Sequence, residues 1–146
     1  MKIFTSDNLA ELESLKKGQY VELLPGTYKG HCGNIESIYF EEEVFGFLEP
    51  IIEHNFPPYS HYAFTEIPKS AWSKIIAEFS KLSEGINTFT DEQIRKNVGF
   101  IFKNSEQNFF ENLDKNRIDL KILIDELVNW LGEQINQHES ITVLGI

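Results

Sequence analysis

Cysteine is almost absent from this 146-residue chain, in which Cys32 is the only one. A single cysteine cannot form an internal disulfide, so a fold held together by disulfide bonds is excluded. The N-terminus also lacks the basic start and the apolar stretch of roughly 7–15 residues that define a signal peptide. Together these absences predict a reduced, cytoplasmic protein.

Long apolar runs are missing as well. The longest uncharged stretches are far shorter than the ~20 residues needed to cross a bilayer, so we expect no membrane-spanning segment and no membrane partner. The apolar fraction is 41% and the charged fraction 25%, which exclude a disordered or low-complexity chain. A chain of this length can bury one hydrophobic core. We therefore expect a single domain spanning residues 1–146.

Positive charge is scarce. The chain has 13 Lys and Arg against 23 Asp and Glu, which gives a formal net charge of -10. Nucleic-acid binding requires clustered Lys and Arg to contact the phosphates, so this composition argues against nucleic acid as the main partner. An acidic chain is better suited to a basic protein partner.

The familiar catalytic motifs are also lacking. There is no glycine-rich phosphate loop, nucleophile elbow, dinucleotide fingerprint or zinc-protease helix. His31 adjoins Cys32, but neighbouring side chains rarely point at each other, so we expect no nucleophile–base pair. His54 and His61, near Glu53, match no known metal-ligand spacing. We therefore expect no metal site and no cofactor. A small hydrolase that uses His or carboxylate chemistry near His31 or His61 stays open as the alternative.

Apolar periodicity predicts helices separated by short strands. The predicted strands cover residues 2–5, 19–24, 37–40, 62–67 and 141–144. The first predicted helices cover residues 7–17, with a stop at Gly18; 41–55, with a kink or restart at Pro50; and 69–85. A capping box of Thr90 and Gln93 marks the start of a helix that extends to about residue 113, within which a break at Asn104 and Ser105 stays open. A long last helix is capped at Asn116.

This order of elements predicts an α+β fold. We expect a small, mainly antiparallel sheet, with strands near Lys2, Val21, Phe64 and Val143, covered by several amphipathic helices because half-buried strands need a helical layer. The apolar stripes of the two longest helices predict the core. Its predicted members are Trp72, Ile76, Phe79, Ile124, Leu127 and either Trp130 or Leu131.

Charge is distributed unevenly along the chain. Residues 30–68 contain no Lys or Arg but seven glutamates and many aromatic residues. Aromatic anchors among acidic groups are typical of an interface with a basic protein surface. An ordinary solvated helix face is the competing interpretation, and the sequence leaves both open. The predicted partner-binding residues are Glu41, Glu42, Glu43, Glu49 and Glu53, with Tyr59 and His61 as neighbours.

Residues 42–47 (EEVFGF) and 56–68 (FPPYSHYAFTEIP), followed by the helix of Trp72, resemble small acidic bacterial immunity proteins. These are encoded beside contact-dependent growth inhibition systems and related polymorphic toxins. The resemblance implies a cytoplasmic, non-enzymatic antitoxin that binds one toxin domain, often a basic nuclease, and covers its active site or substrate surface. It implies no catalytic residues, because such proteins act by binding.

Overall fold

The computed structural model describes residues 1–16 and 19–146, and of Lys16 only the backbone. It is an α+β domain, as the sequence predicts. The strands are β1 (Phe4–Thr5), β2 (Tyr20–Pro25), β3 (Ile38–Glu41), β4 (Phe64–Pro68) and β5 (Ser140–Leu144). The helices are α1 (Leu9–Lys16), α2 (Glu42–Gly46), α3 (Glu49–Asn55), α4 (Lys69–Gly85), α5 (Asp91–Asn97), α6 (Ser105–Glu111) and α7 (Leu113–Ile135).

The five strands form one sheet in the order β1-β3-β2-β5-β4. Neighbouring strands in this order pair antiparallel, which confirms the predicted sheet. The strands expected near Lys2, Val21, Phe64 and Val143 are β1, β2, β4 and β5. The C-terminal strand β5 lies between β2 and β4, with Leu23 and Thr65 both opposite Val143. The last strand of the chain therefore joins the N-terminal part of the sheet to β4.

One face of the sheet is covered by α4 and α7, which pack on each other. Trp72 on α4 is fully buried, and its indole N–H donates to the backbone oxygen of Ile141 on β5 at 3.1 Å. The predicted core residues Trp72, Phe79, Ile124, Leu127 and Leu131 are buried, whereas Ile76 and Trp130 are half-buried at the margin of the core. Most of the predicted core is therefore confirmed.

The predicted helix over residues 41–55 is two helices, as the proline suggested. The first, α2, ends at Gly46, and α3 begins at Glu49 with Pro50 in its first turn. A proline is tolerated there because backbone N–H groups of the first turn have no partner within the helix. The predicted restart is confirmed, although it begins one residue before the proline.

The helix predicted from residue 90 to about 113 is two helices. The break left open at Asn104 and Ser105 is confirmed, because α6 begins at Ser105, but the prediction that the first helix continues up to that break is wrong. The capping box of Thr90 and Gln93 is present, but α5 ends at Asn97. Gly99 then donates its N–H to the backbone oxygen of Phe47 at 3.1 Å, and a Cβ at position 99 would collide with the Gly46 oxygen. This close backbone contact with a distant segment interrupts the helix, and a separate α6 follows.

The predicted start of the last helix is also wrong. Helix α7 begins at Leu113, so Asn116 lies within its first turns and is not a cap. The Asn116 side chain instead donates to the backbone oxygen of Phe109 at 3.0 Å, which ties α7 to the end of α6. The predicted stop of the first helix at Gly18 lies outside the described residues. Within the described part of the chain, no helix has the length and apolarity needed to span a membrane.

Candidate partner-binding surface

The seven residues predicted to bind a partner come from adjacent elements. Glu41 ends β3, and Glu42 and Glu43 form the first turn of α2, where negative charge is favourable to the helix dipole. Glu49 and Glu53 lie on α3. Tyr59 and His61 lie in the turn over residues 56–63 that leads from α3 into β4.

The structure brings four of these residues into one hydrogen-bonded cluster. His61 Nε2 lies 2.6 Å from Glu42 Oε2, and His61 Nδ1 lies 2.8 Å from both carboxylate oxygens of Glu49. The Tyr59 hydroxyl donates to Glu49 Oε2 at 2.6 Å. Tyr59 and His61 thus lie beside Glu42 and Glu49, and the partner-binding role of these residues stays a prediction. The cluster joins α2 and α3 to the turn before β4.

The protonation of this cluster follows from its geometry. Both ring nitrogens of His61 face carboxylate oxygens, which accept hydrogen bonds, so both nitrogens donate and the ring is an imidazolium. Burial lowers the pKa of His61, but the hydrogen bonds to Glu42 and Glu49 outweigh it and the net pKa is raised. Burial and the neighbouring Glu49 raise the pKa of Tyr59, so its hydroxyl keeps its proton.

This arrangement favours a structural role for His61. Neither ring nitrogen is free to take a proton from a substrate, because each already donates to a carboxylate. General-base catalysis requires a nitrogen within hydrogen-bond reach of the substrate proton. The hydrolase alternative at His61 would require the imidazole to leave at least one of its two partners.

The other residues considered for a hydrolase or metal site are exposed to solvent: His31, Cys32, Glu53 and His54. His31 and Cys32 lie in an exposed loop, and His31 Nδ1 lies 3.2 Å from the backbone oxygen of Cys32, not from its thiol. Burial and Glu22 raise the pKa of the Cys32 thiol, which disfavours a reactive thiolate. His54 and Glu53 are exposed at the end of α3. Among the described residues no three His, Cys, Asp or Glu side chains are grouped to hold a metal ion.

The acidic residues differ strongly in exposure. Glu49 is only 6% exposed, so its carboxylate cannot lie on a solvated acidic face. Glu43 accepts a hydrogen bond from the Ser105 hydroxyl at 2.7 Å, and Glu53 is exposed. Glu66 on β4, which was not among the predicted residues, is exposed as well. The same residue type therefore has structural positions and surface positions within one segment.

A polar depression of about 300 Å³ lies beside the first turn of α2. Its walls include the carboxylate side chains of Glu41 and Glu43 and the amides of Asn108, Asn112 and Asn116. The hydrogen bond between Ser105 and Glu43 connects this wall to the start of α6. Glu41 and Glu43 thus face α6 and α7, whereas Glu42 faces the turn that carries His61.

The aromatic residues of the 30–68 segment divide in a similar way. Two of them remain at the surface: Tyr62 is 77% exposed and Phe64 is 48% exposed. The Phe64 ring packs against the half-exposed Tyr28, with ring centroids 5.0 Å apart. Rigid exposed aromatic side chains are common anchors of protein interfaces. The buried members of the set are Tyr39, Phe40, Phe45, Phe47 and Tyr59.

A functionally placed carboxylate that the sequence analysis did not single out is Glu22 on β2. It is 1% exposed and accepts hydrogen bonds from the Gly33 N–H at 2.7 Å and from the Asn34 N–H and side-chain amide at 3.1 and 2.9 Å. The Tyr39 hydroxyl donates to the backbone oxygen of Asn34. Glu22 therefore fastens the loop after β2 to the sheet. A lone glutamate inside the apolar strand YVELLP was the available signal.

No protein-family model, no curated protein and no solved structure matches this chain.

Proposed function

We propose that the protein is a cytoplasmic immunity protein that binds a basic bacterial toxin domain, such as a nuclease, and blocks its active site or substrate surface. The observation that carries the proposal is the segment over residues 30–68, which has seven glutamates and no Lys or Arg. Negative potential at such a surface attracts a basic partner and speeds its association. A protein that neutralises by binding needs no cofactor and no catalytic group.

The exposed part of that segment supports the proposal. Glu53 on α3 and Glu66 on β4 are exposed, and neither has an ion-pair partner within residues 1–16 and 19–146. Glu42 and Glu43 are half-buried at the start of α2. Tyr62 and Phe64 add exposed aromatic surface to the same segment. Charge and apolar anchors are thus both available to a partner.

The proposal predicts that a toxin-like reading frame lies next to this gene, and the test uses the toxin that this reading frame encodes. Co-expression should protect cells from that toxin, and the purified proteins should associate more slowly in high salt, because the Debye length falls from about 10 Å at 0.1 M to about 3 Å at 1 M. Glu53→Lys combined with Glu66→Lys should slow association about tenfold at low salt and leave the melting temperature nearly unchanged, because both side chains are exposed.

The matched control is Glu126→Lys combined with Glu133→Lys, which makes the same change of charge at two exposed positions of α7 outside the 30–68 segment. It should slow association less than Glu53→Lys combined with Glu66→Lys does. Equal effects of the two variants would mean that only the net charge matters. Failure of the neighbouring toxin to bind at all would contradict the proposed function.

A further inference from the structure

The two edges of the sheet differ in what they offer another chain. Strand β1 forms one edge and has only two residues, Phe4–Thr5. Strand β4 forms the other edge and has five residues, Phe64–Pro68. Short edge strands resist pairing with other chains, whereas a longer edge presents a row of backbone donors and acceptors. The β4 edge is therefore the place where the sheet can accept a further strand.

The hydrogen bonds at the two ends of β4 show which residues face β5. Gly145 donates its N–H to the Ala63 oxygen at 3.2 Å, and Lys69 donates its N–H to the Glu139 oxygen at 2.9 Å. Hydrogen-bonded and non-hydrogen-bonded pairs alternate along an antiparallel ladder. The odd-numbered residues of β4 therefore direct their backbone groups towards β5.

The even-numbered residues direct their backbone groups to the opposite side. The N–H and C=O groups of Phe64 and Glu66 consequently face away from the sheet. Pro68 is the N-cap of α4, so its C=O accepts the first hydrogen bond of that helix. Within the described part of the chain, no other strand pairs with this side of β4. Two alternate residues, Phe64 and Glu66, thus leave their backbone hydrogen-bonding groups available to an incoming strand.

The side chains along this edge suit an interface. Phe64 is 48% exposed and is held in place by the ring of Tyr28, and Tyr62 is 77% exposed just before the strand. Glu66 is exposed on the same face of β4 as Phe64, because alternate residues of a strand share a face. Strand addition takes affinity from the backbone and specificity from alternate side chains.

The negative charge along β4 indicates which kind of partner strand would bind at this edge. Strand β4 lies in the 30–68 segment, which lacks Lys and Arg, and its exposed charged side chain is Glu66. A second copy would bring together two chains that each carry a formal charge of -10, which opposes association. An extended segment with alternating Lys or Arg would instead meet opposite charge across the strand pair, which stabilises such pairs.

We propose that the β4 edge binds an extended, basic segment of a partner protein as an additional strand of the sheet. Backbone hydrogen bonds form to Phe64 and Glu66, a Lys or Arg of the partner faces Glu66, and an apolar or aliphatic stem packs on Phe64. That the partner is a toxin rests on the proposed function above; the docking mode does not.

The first experiment measures amide hydrogen exchange by NMR on the full chain. The probe is a peptide of about eight alternating Lys and Val residues, with capped ends to suit strand addition. The peptide should slow exchange of the Phe64 and Glu66 amides about tenfold or more and leave Thr65 and Ile67 nearly unchanged, because those two already face β5. A Glu–Val peptide of equal length should give no protection. A Lys–Val peptide N-methylated at each Lys should give none either, because the Lys opposite Glu66 in an antiparallel pair directs its own N–H towards Glu66.

The second experiment compares Glu66→Pro with Glu66→Gln. Proline removes the outward N–H and is tolerated on an edge strand, where the ladder to β5 does not use that N–H. Glutamine removes the charge but keeps the N–H. Glu66→Pro should weaken binding of the Lys–Val peptide about tenfold, the loss expected for a hydrogen bond, and more than Glu66→Gln does. If Glu66→Pro does not fold, amide hydrogen exchange of the parent protein with and without the peptide tests the proposal.

The outcomes separate the docking mode from the proposed function. Equal peptide binding by Glu66→Pro and the parent, or protection of amides outside β4 alone, would overturn edge docking. Concentration-dependent protection of Phe64 and Glu66 without peptide would assign the edge to a second copy and also overturn it. If Glu66→Pro still neutralises the neighbouring toxin fully, toxin binding stands and edge docking of the toxin fails. If the peptide protects the β4 amides but no toxin binds, edge docking stands and the proposed immunity function fails.

Discussion

Two regions of the molecule share one apolar core, but only one of them adds a buried charged cluster to it. Helices α4 and α7 cover the sheet with periodic apolar side chains such as Phe79 and Leu127, which are buried almost completely. The segment over residues 30–68 adds a different device, in which two carboxylates hold one imidazolium between them. Apolar burial is non-directional, whereas the charged cluster depends on individual hydrogen bonds. The stability lost on substitution should therefore depend on the volume of the removed side chain in the first region. In the second it should depend on which hydrogen-bond partners are left unpaired.

Phe79→Ala should give the largest loss of stability. Phe79 on α4 is fully buried, so removing its ring leaves a cavity and should lower the free energy of unfolding by about 3–5 kcal/mol. Denaturant melts provide the measurement, with Lys74→Ala, at an exposed position of the same helix, as the control. The control should change stability by less than about 0.5 kcal/mol. A loss below about 1 kcal/mol for Phe79→Ala would show that this helix face does not form the core.

Glu49→Ala should lower the free energy of unfolding less than Phe79→Ala does, and it should do so by removing hydrogen bonds and not apolar volume. It leaves the Tyr59 hydroxyl and the His61 ring without the carboxylate they share, so we expect a loss of about 2–4 kcal/mol. Glu53→Ala is the matched control, because it removes an exposed carboxylate from the same helix, four residues later. Similar denaturant midpoints for the two variants would mean that the cluster does not stabilise the fold.

The smallest expected effect is the pH dependence contributed by His61. Its pKa in the folded protein is raised above the unfolded value of about 6.5, so the folded state binds the proton more tightly. The stabilisation is complete below the unfolded pKa and is lost as the pH rises through the folded pKa. The difference in unfolding free energy between the parent and His61→Gln should therefore shrink towards alkaline pH. A difference that grows with pH would contradict the imidazolium assignment.

The sequence predicted those parts of the fold that depend on local periodicity. The stripe from Trp72 to Leu82 identifies a helix and its buried face without knowledge of the rest. The alternation at β4 identifies a strand but not its buried face, because Thr65 and Ile67 are buried and the aromatic Phe64 is exposed. The break after Asn97 could not be predicted in this way, because it depends on Gly99 meeting the backbone of Gly46, more than 50 residues earlier in the chain. Local patterns carry no information about such a contact.

The candidate site shows the same division. Charge and aromatic content identified the segment and the proximity of Glu49, Tyr59 and His61. Composition could not predict which glutamates are exposed, because Glu49 and Glu53 are the same type of residue on the same short helix. Only the turn over residues 56–63 distinguishes them: it places a hydroxyl and an imidazole against Glu49 and leaves Glu53 in solvent. The open side of β4 likewise became visible only with the strand order.

The attachment of the glycine-rich loop to Glu22 has a consequence for proteolysis. Loops of this composition are ordinarily preferred cleavage sites, because a protease must draw an extended stretch of chain into its active site. Here the backbone at Gly33 and Asn34 is bonded to a buried carboxylate of β2, and Tyr39 on β3 secures the same turn. Cleavage at Gly33 and Asn34 therefore requires these hydrogen bonds to open. When opening and closing are fast, the cleavage rate reports how often they do so.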